Sequence, residues 1–254
     1  MPGYMDVPSV ESLSATAGTW YGHLNPVTRP DISLYGETYT LGPPLTQEEL
    51  DIFKAQFVTL LAAPGSVERM IMLDRLEAYV LALRAIKYKL NNPAFKGLNP
   101  AESELGFGLI RPVFTCNVAL VPRITWAQAL TVAYAAWFSN AAGTAGFQIG
   151  IPFGLCVTHL KSLTTPLPFM SEAQFTVGRT GVLIPVDVRN LRIADTVNQV
   201  SIFPVPSMIL IPQTTFFAQA RSDTVAASTD EVVLGGLVYG LGRALRQTVT
   251  YPAT

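Results

Sequence analysis

Charge is what this chain has least of. Only 14% of its residues are Asp, Glu, Lys or Arg, against about 25% in an ordinary soluble domain. A free monomer needs charge on its surface, so the deficit predicts a surface covered by further copies, another protein or a lipid face. The plainer alternative is a large core inside a Ser/Thr/Asn/Gln-rich exterior. Basic residues are also too scattered to hold nucleic acid. Net charge is −1, and Lys87-Tyr88-Lys89 and Arg189-Asn190-Leu191-Arg192 are the densest basic spots. Neither is a phosphate-neutralising tract. Between Met1 and Gly22 the only charged residues are Asp6 and Glu11, so no basic arm exists there and direct nucleic-acid binding is disfavoured.

Cysteine and histidine are nearly absent, two of each. Cys116 and Cys156 lie in apolar alternating segments and are read as buried free thiols. A Cys116/Cys156/His159 metal site has no CxxC or HxxxH spacing behind it. His23 lies in the N-terminal segment, and His159 is read as an ordinary strand-end histidine. No catalytic, cofactor or metal residue is assigned. GxSxG is missing, and Gly235-Gly236-Leu237-Val238-Tyr239-Gly240-Leu241-Gly242 lacks both the lysine of a phosphate loop and the GxGxxG spacing. Small residues between Leu, Val and Tyr there predict a strand packed closely by a neighbour. The acids Asp230-Glu231 read as a solvated turn. The start MPGYMDVPSV has no signal-peptide pattern. The uncharged run Ile124–Thr158 is mostly Ala and Gly, interrupted by Gln128, Asn140, Gln148 and Pro152, which argues against a spanning helix.

What is present falls into three parts. Residues 1–45 form an extended arm carrying nine prolines and glycines before Pro43, with Ile32–Leu41 alternating well enough to add a strand to a neighbour's sheet. Trp20, Tyr21, Leu34, Tyr35, Tyr39 and Leu41 give the arm apolar anchors, so it is expected to order on other subunits and to be mobile in an isolated one. Residues 46–92 form a helical hairpin. Thr46-Gln47-Glu48-Glu49 is a capping box, Leu50, Phe53, Phe57 and Leu60 follow at helical spacing, and Pro64-Gly65 breaks the chain. Ser66 caps a second helix that runs to about Asn91 along Leu73, Leu76, Val80, Leu83 and Leu90.

Residues 105–254 form a β-sandwich with one internal helix near 125–139. Val113–Val121 reads as a strand. Thr125-Trp126-Ala127-Gln128 reads as a capping box, and Trp126, Leu130, Ala133 and Trp137 recur on one helical face as core. Phe147, Ile149, Ile151, Phe153, Leu155 and Val157 alternate without a miss and predict one strand with one buried face. Pro152 makes it an edge strand or a bulged one. Further strands are predicted at 174–177, 181–188, 200–203, 207–211, 215–220, 231–241 and 247–251, with a polar loop at 221–230. Many short strands at this spacing argue for a sandwich or barrel. In Phe203-Pro204-Val205-Pro206-Ser207-Met208-Ile209-Leu210-Ile211-Pro212-Gln213-Thr214-Thr215-Phe216-Phe217, the prolines permit two strands joined at a sandwich corner.

The series MILIPQTTFFAQARSDTVAASTDEVVLGGLVYGLGRALRQ, residues 208–247, resembles the C-terminal half of jelly-roll coat proteins from tailless icosahedral viruses and phages. In those, a "-LIP-x-x-T-x-F-" corner links late strands and the last strand ends in a Gly/Leu/Arg pattern. The resemblance implies a jelly-roll-type antiparallel β-sandwich, a virion location, and a capsid subunit without catalytic residues. Copies of itself and other virion proteins are the partners it implies, with an underlying lipid layer a further candidate and no small-molecule substrate. The helical hairpin and the absent basic arm depart from a minimal coat protein. A carbohydrate- or receptor-binding sandwich module is the alternative, recognisable by exposed aromatics beside acids and amides. A hydrolase would show acids converging in a cleft.

Overall fold

The computed structural model describes residues 31–34, 37–91, 105–110, 125–130, 132–136, 147–148, 153–162, 170–178, 183–189, 200–202, 207–223 and 226–241. A short antiparallel hairpin, β1 (Asp31–Leu34) and β2 (Glu37–Thr40), leads into three helices, α1 (Gln47–Leu60), α2 (Ser66–Asp74) and α3 (Leu76–Leu90). The strands β3 (Leu105–Leu109), β4 (Thr125–Leu130), β5 (Ala135–Ala136), β6 (Phe147–Gln148), β7 (Phe153–Ser162), β8 (Met170–Val177) and β9 (Leu183–Asp187) follow. Then come β10 (Val200–Ile202), β11 (Met208–Leu210), β12 (Thr215–Ser222) and β13 (Ala226–Leu241).

These strands make two antiparallel sheets, so the protein is mainly β. One has the order β10-β7-β13-β3, with β11 also on β7 and β4 on β13. The other has the order β5-β12-β8-β9, with β6 also on β12. Their alternation explains how they face each other. In β8 and β12 every second residue is buried: Ala173, Phe175 and Val177 on one, Phe216, Ala218 and Ala220 on the other. These meet Leu155, Val157, Leu160, Met208, Leu210, Leu234 and Val238 from the first sheet in a shared core. Phe175 and Phe216 stack there with ring centroids 5.7 Å apart.

The opposite face of the first sheet is apolar too. Cys156, Ile209, Leu237 and Tyr239 join Leu50, Phe53 and Phe57 of α1 and Leu76 through Leu90 of α3 in a second core. The layers are therefore helices, sheet, sheet. An aromatic chain runs through the helix-side core: Phe53 to Phe107 at 4.8 Å, Phe107 to Tyr239 at 6.0 Å, and Phe57 to Tyr79 at 5.7 Å between centroids. Each such pair adds about 0.5–1.5 kcal/mol beyond its buried area. Gly154 lets α3 come this close, since a Cβ there would lie 2.5 Å from Ile86 Cδ1.

The capping box forms as the sequence implied: Thr46 Oγ1 accepts from the Glu49 amide and Glu49 Oε2 accepts from the Thr46 amide. Several expectations need correction. The single second helix is two, broken at Arg75 (φ −100°, ψ 17°), and α2 has Gly65 rather than Ser66 at its N-cap. The stretch 32–41 is not one strand; it folds on itself, pairing Ile32 with Tyr39. Its end belongs to the core, with Tyr39, Leu41 and Leu45 buried against the helices. Arg84, itself buried on α3, donates from Nη2 to the Gly42 carbonyl at 3.0 Å and ties that segment down.

The helix expected near 125–139 is absent from the described part of that range. Thr125–Leu130 is a strand paired with β13, Trp126 opposite Asp230 and Thr125 opposite Glu231. Six residues of ladder to a distant strand override a local capping pattern. Asp230-Glu231 accordingly lie inside β13 instead of in a turn, and the polar loop expected at 221–230 shrinks as β12 and β13 extend into it. The alternating series 147–157 serves two sheets rather than one strand: Phe147 pairs with Phe216 through β6, while β7 lies in the other sheet. Neither does β7 sit at an edge. It is paired on both sides and buried on both faces. Ile149, Ile151, Val113–Val121 and 247–251 lie outside the described residues. The proline-rich corner does join two strands: β11 and β12 belong to different sheets, and the turn between them has Thr214 N–H donating to the Ile211 carbonyl with Gln213 at φ 67°.

Helix docking on the sheet is testable at Gly154. We expect Gly154→Ala to lower stability in urea unfolding by about 1–3 kcal/mol, as overpacking does. In an Ile86→Ala background the same change should cost at least about 1 kcal/mol less, because the clashing atoms are gone. Additive costs would show that Ile86 does not set the approach of α3.

Candidate functional site

The densest buried polar cluster among the described residues lies between the helices and β7, and a bulge creates it. Gly235 of β13 pairs with His159 and Gly236 with Val157, leaving Thr158 as the extra residue on β7. The bulge reverses the alternation. Leu155, Val157 and Leu160 point into the inter-sheet core, whereas both Thr158 and His159 face the helices. Two glycines make room for this. A Cβ on Gly235 would lie 2.0 Å from His159 Nε2, and one on Gly236 (φ 136°) would lie 2.1 Å from the Cys156 carbonyl oxygen. The glycine-rich piece is thus a strand packed closely by its neighbour, as its sequence suggested.

The side chains form one chain of contacts. Tyr79 OH of α3 and Thr158 Oγ1 are 2.8 Å apart, Thr158 Oγ1 and His159 Nδ1 3.0 Å, and His159 Nε2 and Glu68 Oε1 of α2 3.1 Å. Lys161 Nζ donates to Glu68 Oε2 at 2.9 Å, and Tyr239 OH donates to the Tyr79 carbonyl at 2.8 Å. His159 is fully buried, Glu68 is 13% exposed and Lys161, at 40%, reaches furthest into solvent. Burial alone would raise the Glu68 pKa, but hydrogen bonds and charge from His159 and Lys161 outweigh it and bring it from the ordinary 4.5 down to about 2. Burial pushes the Tyr79 hydroxyl and the Cys156 thiol upward, so both stay protonated.

Glu68, His159 and Thr158 stand in the connectivity of an acid, a base and a hydroxyl nucleophile. Thr158 and His159 have no exposed surface, and Thr158 Oγ1 also binds Tyr79, so the chain as it stands joins layers. His159 is therefore a mid-strand, fully hydrogen-bonded residue rather than the ordinary strand-end histidine its sequence position suggested. Cys156 is buried and free on the helix side of β7. His23 and Cys116 lie outside the described residues. Among the described residues, no group of three His, Cys, Asp or Glu side chains converges as a metal site would, and no helix is long and apolar enough to cross a membrane.

A second cluster crosses the outer face of the other sheet. Glu172 of β8 pairs with Arg221 of β12 and with Asp187 of β9. Arg221 Nη2 donates to Glu172 at 2.7 Å and its guanidinium lies 5.3 Å from the Tyr134 ring centroid, while Tyr134 OH donates to Glu172. The Tyr134 hydroxyl and the Arg221 guanidinium hold the Glu172 carboxyl below its ordinary pKa. Arg189 bridges Asp187 and Asp223. Nothing in the sequence marked either cluster, because each depends on register between distant strands.

Glu68 gives a pH dependence with a definite sign. A folded pKa of about 2 against 4.5 unfolded is stability of about 3 kcal/mol, present above pH 4.5 and lost as pH falls through about 2. In thermal melts we expect wild type to exceed Glu68→Gln above pH 4.5, with the margin shrinking between pH 4.5 and 2. A margin independent of pH would remove the ionic basis of this contact. Gly235→Ala should be among the most damaging single changes in this region, by about 2 kcal/mol or more, because the imidazole has no room to move aside.

No family model matches the chain, and no curated protein matches it. Among solved structures it shows a likeness to the acidic stable capsid structure of Helicobacter pylori bacteriophage KHP30, over 46% of this chain and 91% of that one, at 14% identity and a TM-score of 0.24. So loose a likeness carries no argument about fold or function.

Proposed function

We propose that this chain is a viral structural protein, a capsid subunit built on a jelly roll that assembles with copies of itself. Strand order carries the reading. When an eight-stranded hairpin is rolled up, its first strand pairs with the last, the second with the seventh, the third with the sixth and the fourth with the fifth. The resulting sheets run first-last-third-sixth and second-seventh-fourth-fifth. Taking β5 with β6 and β10 with β11 as single strands, and β4 as an addition, the observed orders β3-β13-β7-β10 and β5-β12-β8-β9 have that arrangement. The resemblance of residues 208–247 to coat proteins supports the same reading, as does the 14% charge content, which suits a subunit tiled against its neighbours.

A jelly roll also serves lectins. That alternative needs an open aromatic platform beside acids and amides. Among the described residues Tyr134 with Glu172 comes nearest, yet the Arg221 guanidinium lies against its ring, where a sugar would have to stack. In the capsid reading the chain is no enzyme, and His23, His159, Cys116 and Cys156 hold no metal; stoichiometric zinc in protein prepared without added metal would overturn that part.

The test is assembly. In sedimentation velocity and negative-stain electron microscopy across protein and salt concentration, the full chain should form closed shells or discrete oligomers of shells. A monomer under all conditions would sink the proposal. The arm contributes contacts between subunits in this reading, and its separable part ends before Tyr39 and Leu41, which are core. Deleting residues 1–30 should therefore leave a cooperatively folded protein that no longer assembles, and normal particles from that truncation would strip the arm of its role.

A further inference from the structure

We propose that α2 is a hinged clasp that opens as a local unit while α3 stays docked on the sheet. Both ends of α2 are broken. Pro64-Gly65 precedes it, Gly65 provides no side-chain cap, and at Arg75 the backbone leaves helical geometry before α3 begins. Its apolar hold is small: Ile71 and Met72 are the buried side chains of α2, whereas α3 buries Leu76, Leu90 and the whole run from Tyr79 to Ile86. Met70 is 39% exposed.

What fastens α2 is electrostatic. Glu68 receives His159 at 3.1 Å and Lys161 at 2.9 Å, both from β7. α2 packs on β7 and on β10, which stands at one end of the order of its sheet. The attachments of α3 are of another kind: Tyr79 bonded to Thr158, the Tyr79 carbonyl bonded by Tyr239, and Ile86 seated over Gly154. A helix between two breaks, held by Ile71, Met72, the partly buried Leu73 and one carboxylate, is the element of this layer with least to lose on opening. Opening uncovers His159 and Lys161 and the α2-facing side of β10.

Hydrogen exchange of the full chain at neutral pH tests this. In wild type, α2 amides should exchange at a rate insensitive to low urea, while α3 amides accelerate with urea as global unfolding requires. Glu68→Ala should speed α2 exchange at least tenfold and leave it insensitive to low urea, while the α3 amides, which exchange through global unfolding, keep their urea dependence. Glu49→Ala, which removes the ion pair of α1 with Lys87 of α3, should not affect α2. If Glu68→Ala does not fold, Lys161→Ala provides the milder version, with a smaller acceleration of α2 and the same insensitivity to low urea expected. A common urea dependence for α2 and α3, acceleration of α2 by Glu49→Ala, or no acceleration of α2 by Glu68→Ala would overturn the proposal.

Discussion

One sheet in this protein is apolar on both faces, and the other layers are placed by that fact. Leu155, Val157, Leu234 and Val238 point one way; Cys156, Leu237 and Tyr239 point the other. Leaving either set in water would forgo about 25 cal/mol for every square ångström of apolar surface. An antiparallel sheet with one wet face needs a single partner, but this one needs two. The second sheet covers one face. The three helices, which precede the sheet in sequence, cover the other. They belong to the fold and are not an appendage to a minimal sandwich.

A sheet in the middle has a polar consequence. Any hydroxyl or imidazole on its strands is buried and must find a partner. The bulge at Thr158 turns two consecutive polar residues toward the helices, and Tyr79 and Glu68 are there to receive them. Glu68 in turn keeps Lys161 at the boundary with solvent. The cluster therefore fixes the register of helix against strand, which apolar contact alone specifies weakly. Removing one member would leave the others buried without partners, so its worth is larger than the sum of its short contacts.

Much of this was legible in the sequence, and the reasons for the failures are specific. The Thr46–Glu49 box, the strands at 174–177 and 215–220 and the corner at Pro212 are local patterns, and local patterns survive folding. The segment 125–130 misled because Ala, Trp and Leu at helical spacing carry no vote against a strand when β13 offers a ladder. β7 was legible only in half. Its odd positions alternate cleanly, but the intervening Gly154, Cys156 and Thr158 read as filler although they pack against α3. Burial on two faces erases the contrast on which period two depends. The site was hidden for a stronger reason. Nothing near His159 in sequence announces Glu68, and the bulge that turns His159 toward it shows only as two adjacent glycines on another strand.

Those glycines also bear on two readings of the polar chain. Acid, imidazole and hydroxyl in line are the ingredients of nucleophilic catalysis, but catalysis needs the nucleophile open to a substrate. Here Gly235 presses on the imidazole from one side and α2 and α3 close the other. A substrate could reach Thr158 only if a helix moved. The same geometry fits a joint well: Thr158, His159 and Lys161 of β7 each bond a side chain of the helical layer, and the contact nearest solvent is an ion pair. Layers joined in this way resist sliding of helix over sheet.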